Sequence, residues 1–473
     1  MRPSRAPCCE LKRAASRLGI AALLLGLSAC VSAPPKVIDA TAMTLPTAWA
    51  AASDQVTGAG LEAQWWARFN DPVLTDLVTS ALQANHSIQA ALDALRQALA
   101  LRDVAAAGLG PNLEASGQRS AGAGNRFAAS LDASWELDLF GARHSALAVS
   151  QATARASAAG LAEVQVSIAA EVGLAYLTLR GAQAQLTIAQ DNLASQQETW
   201  QINQWRAQAG VASVLDAEQA RAAAEQTASQ LPLLQTTIRQ ASHALAVLSG
   251  QAPTTLAKLL TAAAPVPRAT GALALTIPAD TLRRRPDVRA AEQQVLASTA
   301  RVTQADAARA PRFRLSGNIG LQALSLSGLG GSASQVGALL ASVALWDGGA
   351  GLAQVQAQQA ALDQARSHYR ATVLSALREV EDALVALEGD RLRLLRLEQA
   401  AGAAGNAALM AIQRYRSGLV DFQTVLATQR VQLSSRSSLA SASTELGADH
   451  VRLYKALGGG WRASPEFFDL SKP

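Results

Sequence analysis

Residues 126–141 read Arg-Phe-Ala-Ala-Ser-Leu-Asp-Ala-Ser-Trp-Glu-Leu-Asp-Leu-Phe-Gly. Phe127, Ala129, Leu131, Ala133, Trp135, Leu137 and Leu139 alternate with Arg126, Ser130, Asp132, Ser134, Glu136 and Asp138. A period of two over this length predicts a strand with one apolar and one strongly polar face. Ala142 then begins a long Ala-, Gln- and Leu-rich run without proline, which predicts one helix as far as Gln208. A second alternation follows later in the chain: Phe313, Leu315, Ile319, Leu321 and Ala323 interleave with Arg312, Arg314, Ser316, Asn318 and Gln322. Weaker versions begin at Asn112 and Gln335.

About ten residues at roughly 3.3 Å each, tilted near 45°, cover a height of roughly 25 Å, which suits a membrane-spanning barrel wall. A soluble sandwich gives the same alternation. Four strands cannot close a barrel, because the smallest membrane barrels have about eight, so a barrel here requires several chains.

The chain is one unit written twice. No proline lies between Pro111 and Pro232, nor between Pro311 and Pro465. Gly-Pro-Asn-Leu-Glu-Ala-Ser-Gly at 110–117 sits 200 residues before Ala-Pro-Arg-Phe-Arg-Leu-Ser-Gly at 310–317, and Asn85 sits 200 before Arg285. Past the Gly/Ser-rich Leu326 to Val336 the offset becomes about 208, matching Gly210 and Ser213 with Gly418 and Asp421. A duplication at this spacing predicts strands at about 111–121 and 125–139 with helices at 142–208 and 214–248, then strands at 311–324 and 335–346 with helices at 350–416 and 422–457. At about 1.5 Å per residue the longest helices approach 100 Å. A long coiled coil is the competing reading, but apolar heptads are not sustained: Leu352, Val355 and Leu362 are interspersed with Ala and Gln.

The composition agrees. Of 473 residues 105 are alanine, 49% are apolar and only 4% aromatic, which excludes disorder and favours closely packed helices. The formal charge of +5 invites a nucleic-acid reading until its location is considered. Arg2, Arg5, Lys12, Arg13 and Arg17 precede an apolar run from Leu18 to Leu27 and then Ser28-Ala29-Cys30. This is the layout of a secretory signal, too short to span a bilayer. Removal of residues 1–29 takes away those five bases and Glu10, leaving a net +1 and no support for a nucleic-acid partner.

Leu27-Ser28-Ala29-Cys30 is similar to a bacterial lipobox, which makes Cys30 the lipidation site and, with Val31 after it, implies sorting to the outer membrane. Trp65-Trp66, Phe69, Asp71-Pro72, Leu74, Leu77 and Asn85 resemble the opening motif of the outer-membrane factor (TolC/OprM-like) family, in its NodT-type lipoprotein branch. The likeness continues through Trp135-Glu136-Leu137-Asp138-Leu139-Phe140-Gly141, Leu282-Arg283-Arg284-Arg285-Pro286-Asp287-Val288, Trp346-Asp347-Gly348-Gly349, Tyr415-Arg416-Ser417-Gly418 and Tyr454-Lys455-Ala456-Leu457-Gly458-Gly459-Gly460-Trp461. Two sites depart from the pattern: Leu109-Gly110-Pro111, and the turn Arg206-Ala207-Gln208-Ala209-Gly210.

The resemblance implies a mainly α chain with a membrane β-barrel portion: a homotrimer whose twelve strands close one barrel and whose helices form a periplasmic α-helical barrel. It divides the sequence into a signal (1–29), an anchor segment (30–70), a first repeat (71–250), a linker (251–278), a second repeat (279–461) and a tail (462–473). The implied function is passive exit-duct service in a tripartite efflux pump, with a periplasmic adaptor and an inner-membrane resistance-nodulation-division transporter as partners and outer-membrane lipid around it. A duct for one-step (type I) protein secretion uses the same fold, and a helical lipoprotein without a pore is the reading from another class.

No catalytic constellation is present in the sequence. His86, His144, His243, His368 and His450 are scattered without metal-ligand spacing, and Gly328-Leu329-Gly330-Gly331 lacks the Lys-Ser/Thr of a phosphate loop. No cofactor or metal is expected. The resemblance puts the two helix turns at the periplasmic end, where Gly210, Val211, Ser213, Gly418 and Leu419 are candidates for adaptor docking. Turn chemistry alone explains the glycines equally well. Arg414, Tyr415, Arg416 and Asp421, with Asp216 from the first turn, are the candidates for a gate held by charge-assisted and tyrosine hydrogen bonds.

Overall fold

A computed structural model describes residues 46–50, 64–121, 126–270, 278–323 and 333–461. Cys30 and the glycine loop at 328–331 lie outside the described residues. The order of elements repeats. The first half has α1 (Pro72–Ala84), α2 (His86–Ala107), β1 (Asn112–Ser120), β2 (Arg126–Leu137), α3 (Ala142–Gln208), α4 (Val214–Ala228) and α5 (Gln230–Leu248). After α6 (Ala257–Leu260) come α7 (Pro278–Arg284), α8 (Pro286–Ala307), β3 (Arg312–Ala323), β4 (Ala333–Ser342), α9 (Ala350–Arg416) and α10 (Phe422–Ala456). Both α3 and α9 have 67 residues.

The run predicted as one helix over 214–248 is two, divided at Ser229. Pro232 has no N–H for the carbonyl four residues earlier, and its ring crowds that carbonyl, so the ladder breaks one turn ahead of it. Ser229 fills the gap: its N–H donates to Glu225 O and its Oγ to Gln226 O at 2.7 Å. The last strand also ends early, at Ser342, and leaves Trp346 outside the sheet and 90% exposed.

The chain separates into two compact units. Among the described residues, one contains 102–121, 126–150, 296–323 and 333–364, the other 46–50, 64–101, 151–270, 278–295 and 365–461. In the first, the strands form an antiparallel sheet in the order β1-β2-β3-β4. The register keeps like with like: Leu131 faces Ile319 and Trp135 faces Leu315, while Asp132 faces Asn318 and Glu136 faces Arg314. Every neighbour on one face is therefore apolar where the period-two pattern is strongest.

In the second unit, α3 supplies a stripe of small and apolar residues, among them Ala158, Leu161, Ala169, Val172 and Leu177, to a core shared with α1 and α10. Trp65 stacks on Tyr454 with ring centroids 5.4 Å apart. An apolar window in α3 is long enough to cross a membrane by composition, but 56% of it is buried in protein. A hydrogen-bonded chain ties the N-terminal elements to α3. Asp71 caps α1 through Leu74 N, Tyr176 Oη donates to Asp71 Oδ2 at 2.7 Å, and Arg180 reaches Tyr176 Oη, Gln183 Oε1 and Ala262 O. Burial pushes the Tyr176 hydroxyl up to about 12, so it remains a donor throughout the physiological range.

The two halves solve one problem with different residues. Asn85 Nδ2 donates to Leu248 O at 2.8 Å, and Arg285 Nη1 donates to Ala456 O at 2.7 Å, in each case completing the last turn of the second helix of a hairpin. Arg285, the third of the consecutive arginines, is buried and ion-paired, with Asp287 and Glu379 each 2.7 Å away.

Candidate functional site

Two helical turns stand in equivalent places. Gly210 and Gly418 have φ of 72° and 73°, and nothing lies within 4 Å of the Cβ each lacks. Val211 N donates to Arg206 O at 2.8 Å and Gly210 N to Ala207 O; Leu419 N donates to Arg414 O at 2.9 Å and Gly418 N to Tyr415 O. Each turn is thus a Schellman stop built on a left-handed glycine. The departure from the family pattern at 206–210 leaves this backbone geometry unchanged, because the motif needs only the glycine and two carbonyls.

The residues that follow start the next helices. Ser213 Oγ accepts from Leu215 N, and Asp421 Oδ1 accepts from Thr424 N at 2.9 Å and Thr424 Oγ1 at 2.6 Å. Those bonds hold the Asp421 carboxyl below its ordinary range. Within the chain, Asp421 is the N-cap of α10. Asp216 lies in the first turn of α4, where a negative charge suits the helix dipole. The apolar tips point outward, with Val211 68% and Leu419 74% exposed.

The bonds that join the two turns use partners that the sequence did not single out. Tyr415 is buried; its hydroxyl donates to Asn203 Oδ1, its ring meets Phe422 at 6.0 Å, and the Arg206 guanidinium stacks over it at 4.6 Å. Burial raises the Tyr415 hydroxyl above its ordinary value, with Arg206 opposing and Asp216 reinforcing the shift. Arg416 Nη2 meets Glu198 Oε1 at 2.5 Å, and Gln423 Nε2 donates to Gln219 Oε1. Arg414 is exposed and contributes its carbonyl to the turn. Of the candidate gate residues, Tyr415 and Arg416 connect α9 to α3, whereas Arg414, Asp421 and Asp216 serve their own turns or act at a distance. Asn203, Glu198 and Arg206 complete the constellation. Arg206 lies 208 residues before Arg414 in the duplicated turn, which is the one signal that could have found it.

The sheet supplies the other functional surface. On its apolar face Leu131 is 41% and Ile319 50% exposed, while Ser130, Asp132, Ser134, Ser316 and Asn318 on the polar face are more covered. Ser116 and Ser130 hydroxyls bond at 2.9 Å, Ser130 donates to Asp132 Oδ2, and Asn318 Nδ2 donates to Asp132 Oδ1. The apolar side chains therefore face outward from the sheet's more sheltered polar side, the arrangement that lipid outside and water inside require. At the base of β2, Arg143 joins Glu136 Oε2 at 2.6 Å and Gly108 O at 2.5 Å, and Trp135 Nε1 donates to Leu109 O. Among the described residues no group of acidic, His and Cys side chains could hold a metal ion.

The family model for outer membrane efflux proteins matches residues 77–251 and 277–459. Nodulation protein T of Rhizobium leguminosarum bv. viciae is 31% identical over 458 residues, covering 94% of this chain and 94% of its own length. Outer membrane protein OprJ of Pseudomonas aeruginosa is 31% identical over 469 residues, covering 94% and 96%. The solved structure of the outer-membrane channel OprN is 36% identical and superposes with a TM-score of 0.82, over 89% of this chain and 98% of that one.

Proposed function

The chain belongs to the outer membrane efflux protein family, and from that premise we propose how it works as the outer-membrane exit duct of a tripartite efflux pump. It is a transport duct and not an enzyme, and it resides in the outer membrane with its helices on the periplasmic side. Three chains bring twelve strands into one barrel, since β1 and β4 are open edges of a sheet too small to close on itself. The observation that carries this reading is the cross-strand register, which sorts apolar and polar residues onto opposite faces. It also argues against a poreless lipoprotein. Purified protein added to planar bilayers should give discrete conductance steps; a silent bilayer would overturn the reading.

At the helix turns, Tyr415 with Asn203 and Arg416 with Glu198 hold the second hairpin to the first and keep the entrance narrow. A periplasmic adaptor that docks on the exposed Val211 and Leu419 turns, together with a resistance-nodulation-division transporter, would bias those bonds toward release. Arg416→Ala should raise single-channel conductance several-fold, and Glu198→Ala added to it should change little further, because both substitutions remove one ion pair. Unchanged conductance in Arg416→Ala sinks the gate. Cys30 would anchor the chain to lipid; Cys30→Ser should abolish incorporation of labelled fatty acid, and persistent labelling would refute the anchor.

A further inference from the structure

Away from the turns, the second unit has a groove between α3, α10 and the linker at 264–268. Phe69, Ile188, Pro265, Pro267 and Leu439 wall about 640 Å3 with apolar surface. An apolar concavity of this size, met by a few charged groups, is the ordinary form of a binding site. Arg268 and Arg436 border it. The Arg268 side chain is 61% exposed and held loosely by Glu398 at 3.6 Å, and Arg436 is exposed without an ion-pair partner among the described residues. Asp71 borders the groove too, but its Oδ1 accepts from Leu74 N and its Oδ2 from Tyr176 Oη, with Arg180 behind that hydroxyl.

The chain that follows α10 carries a matching pattern. Gly460 packs so close to Trp65 that a Cβ there would stand 3.2 Å from Trp65 Nε1, and the Trp65 ring lies 6.1 Å from that of Phe69, a wall of the groove. Residues 462–473 lie outside the described residues and include Glu466-Phe467-Phe468-Asp469-Leu470. Two phenylalanines and a leucine suit apolar walls. Glu466 and Asp469, on either side of the phenylalanines, complement the two arginines. Six residues lead from Trp461 to Phe467, a reach of roughly 20 Å when extended.

We propose that residues 466–470 dock in this groove of their own chain, with Phe467 and Phe468 against the apolar walls and the two carboxylates toward Arg268 and Arg436. The docked tail straps the linker at 264–268 to α10. Attachment makes the required affinity small. A segment on a short tether meets its site at an effective concentration on the order of 1 mM, so an intrinsic Kd of about 0.1 mM keeps it docked about nine-tenths of the time.

Maleimide labelling of the intact solubilised protein tests this, with Ala440→Cys placing a thiol on the groove wall and the peptide containing residue 440 read by mass spectrometry. At that occupancy, labelling should be about tenfold slower than in the same variant ending at Trp461. Phe467→Ser with Phe468→Ser, which keeps the chain length, should give the same rise in rate. Equal rates with and without the tail overturn the proposal, whether the groove is open or covered by something else. Phe468→p-benzoylphenylalanine identifies the site directly. Illumination should join it to peptides covering 264–268 or 436–443 in a product of single-chain mass. Adducts elsewhere, or a product of two-chain mass, overturn it, because the tail would then dock at another site or on another copy.

Discussion

Replacing Arg285 by alanine should destabilise the folded chain by about 2–3 kcal/mol, the cost of removing a buried guanidinium with its charge-assisted bonds and leaving partly exposed carboxylates without their partner. The Arg285 side chain is 8% exposed and makes four bonds: Nε and Nη2 to Asp287, Nη2 to Glu379 and Nη1 to Ala456 O. Its loss would orphan the end of α10 and leave Asp287 and Glu379 facing Glu163, whose carboxyl burial already raises above its ordinary range. Without the guanidinium, which opposes that shift, the Glu163 carboxyl would be raised further in the folded state. A raised carboxyl contributes stability at low pH that disappears as pH rises through its folded value, so the variant should recover part of its loss near pH 5 and none near pH 8. Denaturant unfolding of the solubilised protein at both values measures this. A loss that does not change with pH would mean that the arginine acts by packing alone. Asn85→Ala, which removes the neutral counterpart in the first half, should cost about 1–2 kcal/mol without pH dependence.

The second large effect belongs to Gly250, where φ is 70°. A Cβ there would stand 2.3 Å from Ala84 O and 3.0 Å from Ala84 C, both backbone atoms that cannot turn aside. Gly250→Ala combines the cost of a left-handed non-glycine residue with a clash that must move α1 or α5, together about 3–5 kcal/mol. Gly210→Ala is the control: φ is 72° but no atom lies within 4 Å, so only the conformational cost of about 1 kcal/mol applies. If the two variants unfold at the same denaturant concentration, the close approach of Ala84 is not what requires glycine at 250.

The elements that were legible share one property: their signal lies in consecutive residues. Alternation from Phe127 to Leu137 marks β2 because successive side chains point to opposite faces. The absence of proline between Pro111 and Pro232 leaves α3 free to run 67 residues, and Gly210 and Gly418 mark its end and that of α9 because only a left-handed residue closes the turn cheaply. The repeat, offset by 200 residues before the Gly/Ser-rich loop and by 208 after it, carries most boundaries from the first half to the second. The break at Ser229 was also local, and Pro232 announced it; length and periodicity outweighed a signal that sat at the edge of the proline-free stretch.

The site was only half legible. Tyr415 and Arg416 could be chosen as residues able to hold a gate, but their partners, Asn203 and Glu198, stand 212 and 218 residues away and carry no mark in their own neighbourhoods. Asp421 reads from the sequence as a candidate gate carboxylate; that it caps α10 is visible only once the start of that helix is known. The order of residues alone thus determined period, duplication, helix length and turn, all of which depend on neighbours along the chain. The tertiary structure decided which charge meets which, because a hydrogen bond or ion pair acts over a few ångströms and only packing brings residues hundreds of positions apart within that reach.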